Sequence, residues 1–116
     1  MSYQQVIILG NVGKEPEVRH LDGGKVAATM VIATSEYYND RTGQKTERVE
    51  WHTITAWGSQ AQFIEKYVTK GMSLLVTGKI RTRSYEANGQ KKYVTEIAAD
   101  SIQFAGPKKN SEDMPS

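Results

Sequence analysis

The chain contains no cysteine. That excludes disulfide staples, a thiolate zinc site and a cysteine nucleophile together. It also has no apolar run near the ~20 residues that a membrane-spanning helix needs, and its amino terminus carries no basic-then-apolar signal pattern. The expectation is a soluble, cytoplasmic protein. Nor does one sign of charge dominate: 15 basic residues stand against 13 acidic ones in a chain of 116, a formal charge of +2. So near-neutral a balance announces no polyanionic partner, and the question becomes where the charges sit. The length fits a single domain.

Groups that could carry catalysis are sparse as well. His20 and His52 lack metal-ligand spacing, and no compact acid cluster is available for two magnesium ions. Gly13-Lys14 lacks both the earlier glycine and the following Ser or Thr of a phosphate loop, since Glu15 comes next. A binding protein without enzyme activity, cofactor or metal is expected.

What is present is strand. Val6 to Val12 is apolar on both faces and is closed by Gly10, Gly13 and Pro16. A turn at Asp22, Gly23 and Gly24 leads into a second strand, Val26 to Thr34. A polar loop containing Asn39, Asp40, Thr42 and Gly43 precedes a third, from about Arg48 to Trp57. The period then changes from two to helical. Ser59 and Gln62 form a capping-box pattern, Phe63, Ile64, Tyr67 and Val68 make an apolar stripe, and Lys70 with Gly71 ends it. Two long strands follow, Met72 to Glu86 and Lys91 to Phe104, joined by the hairpin signal Asn88-Gly89. Three strands, a helix and two strands is the element order of an all-β fold, the five-stranded OB barrel with one α-helix between strands 3 and 4. Residues 1–105 form this domain, and 106–116 read as a short flexible tail.

Residues two apart on a strand share a face. On the fourth strand Met72, Leu74, Val76, Gly78 and Ile80 face the core, while Lys79, Arg81, Arg83 and Tyr85 project from the other side. The Asn-Gly turn sets Tyr85 opposite Lys92, and residues 79–92 carry five basic residues to one acidic. A solvated outer face could look the same, and Arg81 falls opposite Glu96, where an exposed ion pair would account for it. The third strand argues otherwise. Val49, Trp51, Thr53, Thr55 and Trp57 share one face; His52, Ile54 and Ala56 share the other. Tryptophans usually go to the core, yet Thr53 and Thr55 between them make a poor core stripe. Tyr38, beside Tyr37 in the polar loop, is equally unexplained by packing. Rings among cations suit single-stranded nucleic acid: bases stack on the rings while cations neutralise phosphates. Each stacked base contributes ~1–3 kcal/mol with little dependence on its identity.

At these residues the sequence resembles the bacterial single-stranded DNA-binding protein family, from about Gln4 to Phe104. The resemblance rests on Gly10-Asn11 with Gly13, Pro16-Glu17-Val18-Arg19, Ala33-Thr34-Ser35-Glu36, Glu50-Trp51-His52, Trp57-Gly58, Lys70-Gly71 and Gly78-Lys79-Ile80-Arg81-Thr82-Arg83 in order. It implies that Tyr38, Trp51, Trp57 and Tyr85 stack on bases. Arg19, Arg81 and Arg83 then lie along the DNA path, and Lys79 and Lys92 join them from the same basic stripe. It also implies a homotetramer, with His52 at a subunit interface. Val6 and Ile8 join His52 in that expectation, because Val6, Ile7, Ile8 and Leu9 are more apolar than one barrel interior requires. A strand covered on both sides within its own chain would read the same way. Glu112, Asp113, Met114 and Pro115 are similar to the family's acidic tip, with Ser116 where phenylalanine would stand and almost no linker before it. That weakens the expectation that the tail recruits replication and repair proteins.

The expected function is sequence-independent binding of single-stranded DNA. Such binding protects the strand and removes its secondary structure in replication, recombination and repair. A primosome-type OB interaction module and an RNA-binding OB protein are the competing readings, and the barrel alone does not separate RNA from DNA.

Overall fold

The computed structural model describes residues 2–106. Six strands and one helix follow one another: β1 (Val6–Val12), β2 (Glu17–Leu21), β3 (Lys25–Asn39), β4 (Lys45–Trp57), α1 (Ser59–Tyr67), β5 (Ser73–Ala87) and β6 (Gln90–Phe104). The sheet order is β1-β5-β6-β4-β3-β2, and β1 also pairs with β3. That extra pairing closes a five-stranded barrel, the OB architecture expected. The sixth segment continues the first: β1 meets β3 at Asn11↔Ala33 and Val12↔Ile32, then β2 takes up the same edge from Glu17↔Thr29 to Leu21↔Lys25. Gly13 and Pro16 interrupt one barrel strand rather than end it. At the closure, a Cβ on Gly10 would sit 2.3 Å from the Ala33 carbonyl oxygen, so only glycine lets β1 cross so near β3.

Alternation fills the interior. Ile8, Val12, Met30, Ile32, Ile54, Leu74, Val76, Ile97 and Ile102 point inward and are almost wholly buried. The helix plugs one end with Ala61, Ile64 and Val68, not with the longer stripe expected. Phe63 is half-buried and Tyr67 is 52% exposed. Its N-cap is Gly58, no side chain caps the first turn, and Val68 rather than Gly71 is the C-cap. Ser59 is therefore the first helical residue and not the cap.

Beyond the barrel two hairpins extend as arms. β3 and β4 stay paired to Asn39↔Lys45, so Tyr37 and Tyr38 stand on a strand and not in a loop. β5 and β6 run out to Ala87↔Gln90 and turn at Asn88-Gly89, both with φ near the left-handed region that a tight hairpin requires. Ile80, expected in the core, lies past the barrel end on this arm and is 50% exposed. The acidic-tip residues Glu112 to Pro115, and Ser116 after them, lie outside the described residues.

Candidate nucleic-acid interface

Register across the strands assembles the site. Residues paired across antiparallel strands share a face, so Arg19↔Ala27 and Ala27↔Trp57 place Arg19 and Trp57 in one row over a small, buried alanine. β2 holds Arg19 there from its other side: His20 Nε2 meets Glu65 Oε2 of the helix at 2.6 Å. A groove of about 490 Å³ runs across this outer face, with Arg19, Thr53, Thr55, Trp57, Arg81, Arg83 and Glu96 among its lining residues. Thr53 and Thr55 form its floor between the two indoles, and Ile54 and Ala56 face the core at 0% and 1% exposure.

Trp51 and Trp57 are 62% and 56% exposed. Such exposure of the largest apolar side chains marks an interaction surface. Trp51 is not loose: a Cβ on Gly13 would lie 2.3 Å from its Cζ3, so the indole rests directly on the glycine backbone. Gly13 is a positioning residue that the sequence offered only as a turn.

The cations divide. Glu96 is 7% exposed and its Oε1 accepts a hydrogen bond from Arg83 Nε at 3.0 Å. Arg81 is the residue directly opposite Glu96 in register, but the ion pair goes to Arg83 instead. The Arg81–Glu96 pair, the rival to a ligand-facing Arg81, is thus replaced by its neighbour's, and Arg81 makes no ion pair among the described residues. Lys79 leans toward Asp100, with Nζ 3.6 Å from Oδ2 and both side chains more than half exposed. Such a pair contributes little and leaves the lysine available. Tyr85 stands opposite Lys92 as the turn required, farther out on the β5–β6 arm.

The structure does not put Tyr38 with the other rings. Pairing from Ala27 to Asn39 is unbroken, so alternation sets Tyr37, not Tyr38, on the ribbon face of Trp51 and Trp57. Tyr38 shares the opposite face with Thr34 and His52, and the Arg48 guanidinium lies 5.4 Å from its ring centroid. Sequence reasoning also passed over Lys45, 4.8 Å from the Tyr37 centroid, and Tyr93 with Lys91 at 5.8 Å. The first depends on the register of the β3–β4 hairpin, which no local pattern reveals; the second joins residues two apart on β6, which share a face.

At the arm's tip one carboxylate organises the turn. Asp40 Oδ1 accepts hydrogen bonds from the Thr42 hydroxyl at 2.6 Å and from the backbone N–H groups of Thr42 and Gln44. The Thr42 hydroxyl foremost, then the Gln44 amide, hold this carboxyl below its ordinary pKa of 3.8.

His52 is half-buried, its Nε2 2.9 Å from Thr34 Oγ1. Of the two β1 residues expected beside it at an interface, Ile8 is 6% exposed and belongs to the core, while Val6 packs partly against that core. Alternation turns Ile7 and Leu9 outward instead, at 65% and 61% exposure. They, not Val6 and Ile8, form the outer apolar face of β1. Among the described residues no group of three or more His, Cys, Asp or Glu is gathered to hold a metal.

The family model of the single-strand binding protein family matches residues 3–105. The chain belongs to that family. Two of its relatives are the single-stranded DNA-binding protein of Bacteroides thetaiotaomicron, 43% identical over 111 residues, and single-stranded DNA-binding protein 1 of Chlorobaculum tepidum, 39% identical over 106. Those matches cover 93% and 90% of this chain but only 69% and 65% of the two relatives. Among solved structures, a Plasmodium falciparum SSB in complex with single-stranded DNA superposes with a TM-score of 0.83 at 32% identity, covering 91% of this chain and 97% of that one. A deletion mutant of the Thermus aquaticus single-stranded DNA binding protein gives 0.78 at 26% identity, over 90% of this chain and 51% of the other. Single-strand binding family membership and the OB barrel therefore agree, from sequence and from shape.

Proposed function

We propose that the domain of residues 1–105 binds single-stranded DNA without sequence preference, and that it acts by binding rather than by catalysis. One observation carries the reading: Arg19, Trp57, Arg81 and Arg83 line one groove, on the face that also presents Trp51. Flat rings accept any base, and the guanidinium groups meet the phosphates. Because open strand is bound and duplex is not, mass action draws hairpins toward the melted form without ATP. Protection of exposed strand in bacterial replication, recombination and repair follows from that activity, in the cytoplasm where such strand arises.

Titration with oligo(dT), following tryptophan emission, is the test. Strong quenching is expected because both tryptophans lie on the binding face. Unchanged emission together with no gel shift would remove the reading. An RNA of equal length run alongside decides the RNA-binding alternative, and binding of RNA as tight as DNA would favour it.

We infer in addition that the chain is a homo-oligomer, a tetramer by family resemblance. Among the described residues the edge of β1 from Val6 to Leu9 pairs only with β5, and its outward Ile7 and Leu9 are apolar. An open apolar strand edge is a template for another chain. The hollow beside Ile7 and Leu9 is lined by His52 and Ile80 and also by Trp51 and Thr53, so the apolar edge of β1 borders the proposed nucleic-acid face. Light scattering that returned a 13.0 kDa particle would end this part of the reading.

A further inference from the structure

We propose that Tyr37 and Lys45 form a further nucleotide-binding site on the β3–β4 arm, with the base on the tyrosine ring and its phosphate on the ammonium. The site rests on the single-strand reading above and extends it to residues outside the groove.

Register is the first support. Proceeding outward from Trp51, the residues of the same ribbon face are Ala33, then Ser35 beside Val49, then Tyr37 beside Glu47. A mostly polar hollow of about 350 Å³ follows this row, lined by Asn11, Ala33, Ser35, Tyr37 and Glu47 among others and bounded on the β1 side by Leu9. Trp51 and Asn11 both flank Ala33 in register, so a strand leaving the Trp51 indole enters this hollow directly.

The second support is the ring itself. Tyr37 is 61% exposed, more than Tyr38 at 46%, and no packing in the described residues accounts for it. Lys45 holds its Nζ 4.8 Å from the ring centroid and makes no ion pair among the described residues. A cation against one side of an exposed ring fixes its orientation and remains within reach of a phosphate attached to a base on that ring. Third, the arm is ordered in advance. The Asp40 hydrogen bonds to Thr42 and Gln44 fix the tip that joins the two strands, so less conformational entropy is lost when a nucleotide docks.

Glu47 opposes the site, since it lies directly across from Tyr37. Its carboxylate weakens a phosphate there, and this gives the proposal a second, opposite-signed handle.

The experiment uses the full chain and an oligonucleotide carrying 5-iododeoxyuridine, photocrosslinked and mapped by tandem mass spectrometry, beside affinities of Tyr37→Leu and Glu47→Gln for oligo(dT). A crosslink at Tyr37 is expected. Tyr37→Leu should bind about 5-fold or more weakly, the lower limit of one lost stack. Glu47→Gln should bind on the order of 2- to 5-fold more tightly, as for removal of one exposed like charge. Crosslinks at Trp51, Trp57 or Tyr85 with none at Tyr37, or a Tyr37→Leu protein of unchanged affinity, overturn the site while leaving single-strand binding intact. If Tyr37→Leu melts early, the crosslink in the unsubstituted chain and the Glu47→Gln affinity decide. A protein that neither crosslinks nor quenches anywhere removes the single-strand reading and this site with it.

Discussion

The two arms are built alike and charged differently. Each is an antiparallel ribbon running out of the barrel, and each carries tyrosines on both faces. Residues 36–48 of the β3–β4 arm hold three acidic and three basic residues; residues 79–92 of the β5–β6 arm hold one acidic and five basic. On the first, Lys45 and Arg48 lie over tyrosine rings; on the second, Lys91 does so over Tyr93, while Arg81 and Arg83 reach the groove. The tips differ too, one tied by the Asp40 carboxylate and the other by a two-residue Asn-Gly turn. The contrast separates two contributions that a single-stranded ligand needs. The balanced arm offers surface for bases and little net field, and the basic arm offers the field.

Salt dependence should therefore fall mainly on the basic arm, the other adding only the Lys45 contact proposed above. The largest effect is expected from Arg83→Ala, which strips the partner from a carboxylate only 7% exposed. Such a group left unpaired costs about 1–3 kcal/mol in stability, and binding should weaken as well. Adding Glu96→Gln to that variant should restore the melting temperature without restoring DNA affinity; restoration of both would mean that Arg83 serves only the fold. Next comes Arg81→Ala. With no ion pair to break among the described residues, it should melt like the parent while the slope of log K against log[salt] becomes shallower by about 0.7. A slope that stays put would remove Arg81 from the DNA path. Tyr37→Leu on the balanced arm should lower affinity at an unchanged slope, and a change of slope there would dissolve the contrast.

The smallest effect concerns the tip. Asp40 has a folded-state pKa below 3.8, so its hydrogen bonds stabilise the turn above that value and are lost as pH falls through the lowered one. Asp40 followed by NMR titration should give a midpoint below 3.8, with the Thr42 and Gln44 amides losing exchange protection over the same range. A midpoint at or above 3.8 would mean the tip is not held this way.

Much of this was legible because period and face obey simple rules. Thr53 and Thr55 between two tryptophans tell which side of β4 is outside, and the Asn88-Gly89 turn by itself sets the Tyr85↔Lys92 register. The misses share a cause, which is pairing between distant segments. Glu17 to Leu21 has too few apolar residues to announce a strand and becomes one only because the edge of β3 lies open beside it. Tyr38 looked like a loop residue because the polar run from Asn39 suggested an end to pairing, whereas the Asp40 turn carries the ladder to Asn39↔Lys45. Ile8 and Ile7 could not be told apart in a run apolar at every position; closure of the barrel chose which of them goes in. Glu96 lies across from Arg81, yet side-chain reach gave it to Arg83.

That buried glutamate bears on how the strand departs. On the proposed path, a phosphate meeting Arg83 has to compete with an anion already built into the groove wall. When the nucleotide lifts off, the guanidinium returns to Glu96 and not to bulk water, so part of the free energy of leaving is recovered inside the protein. An internal counter-ion of this kind favours rapid exchange over a permanent grip.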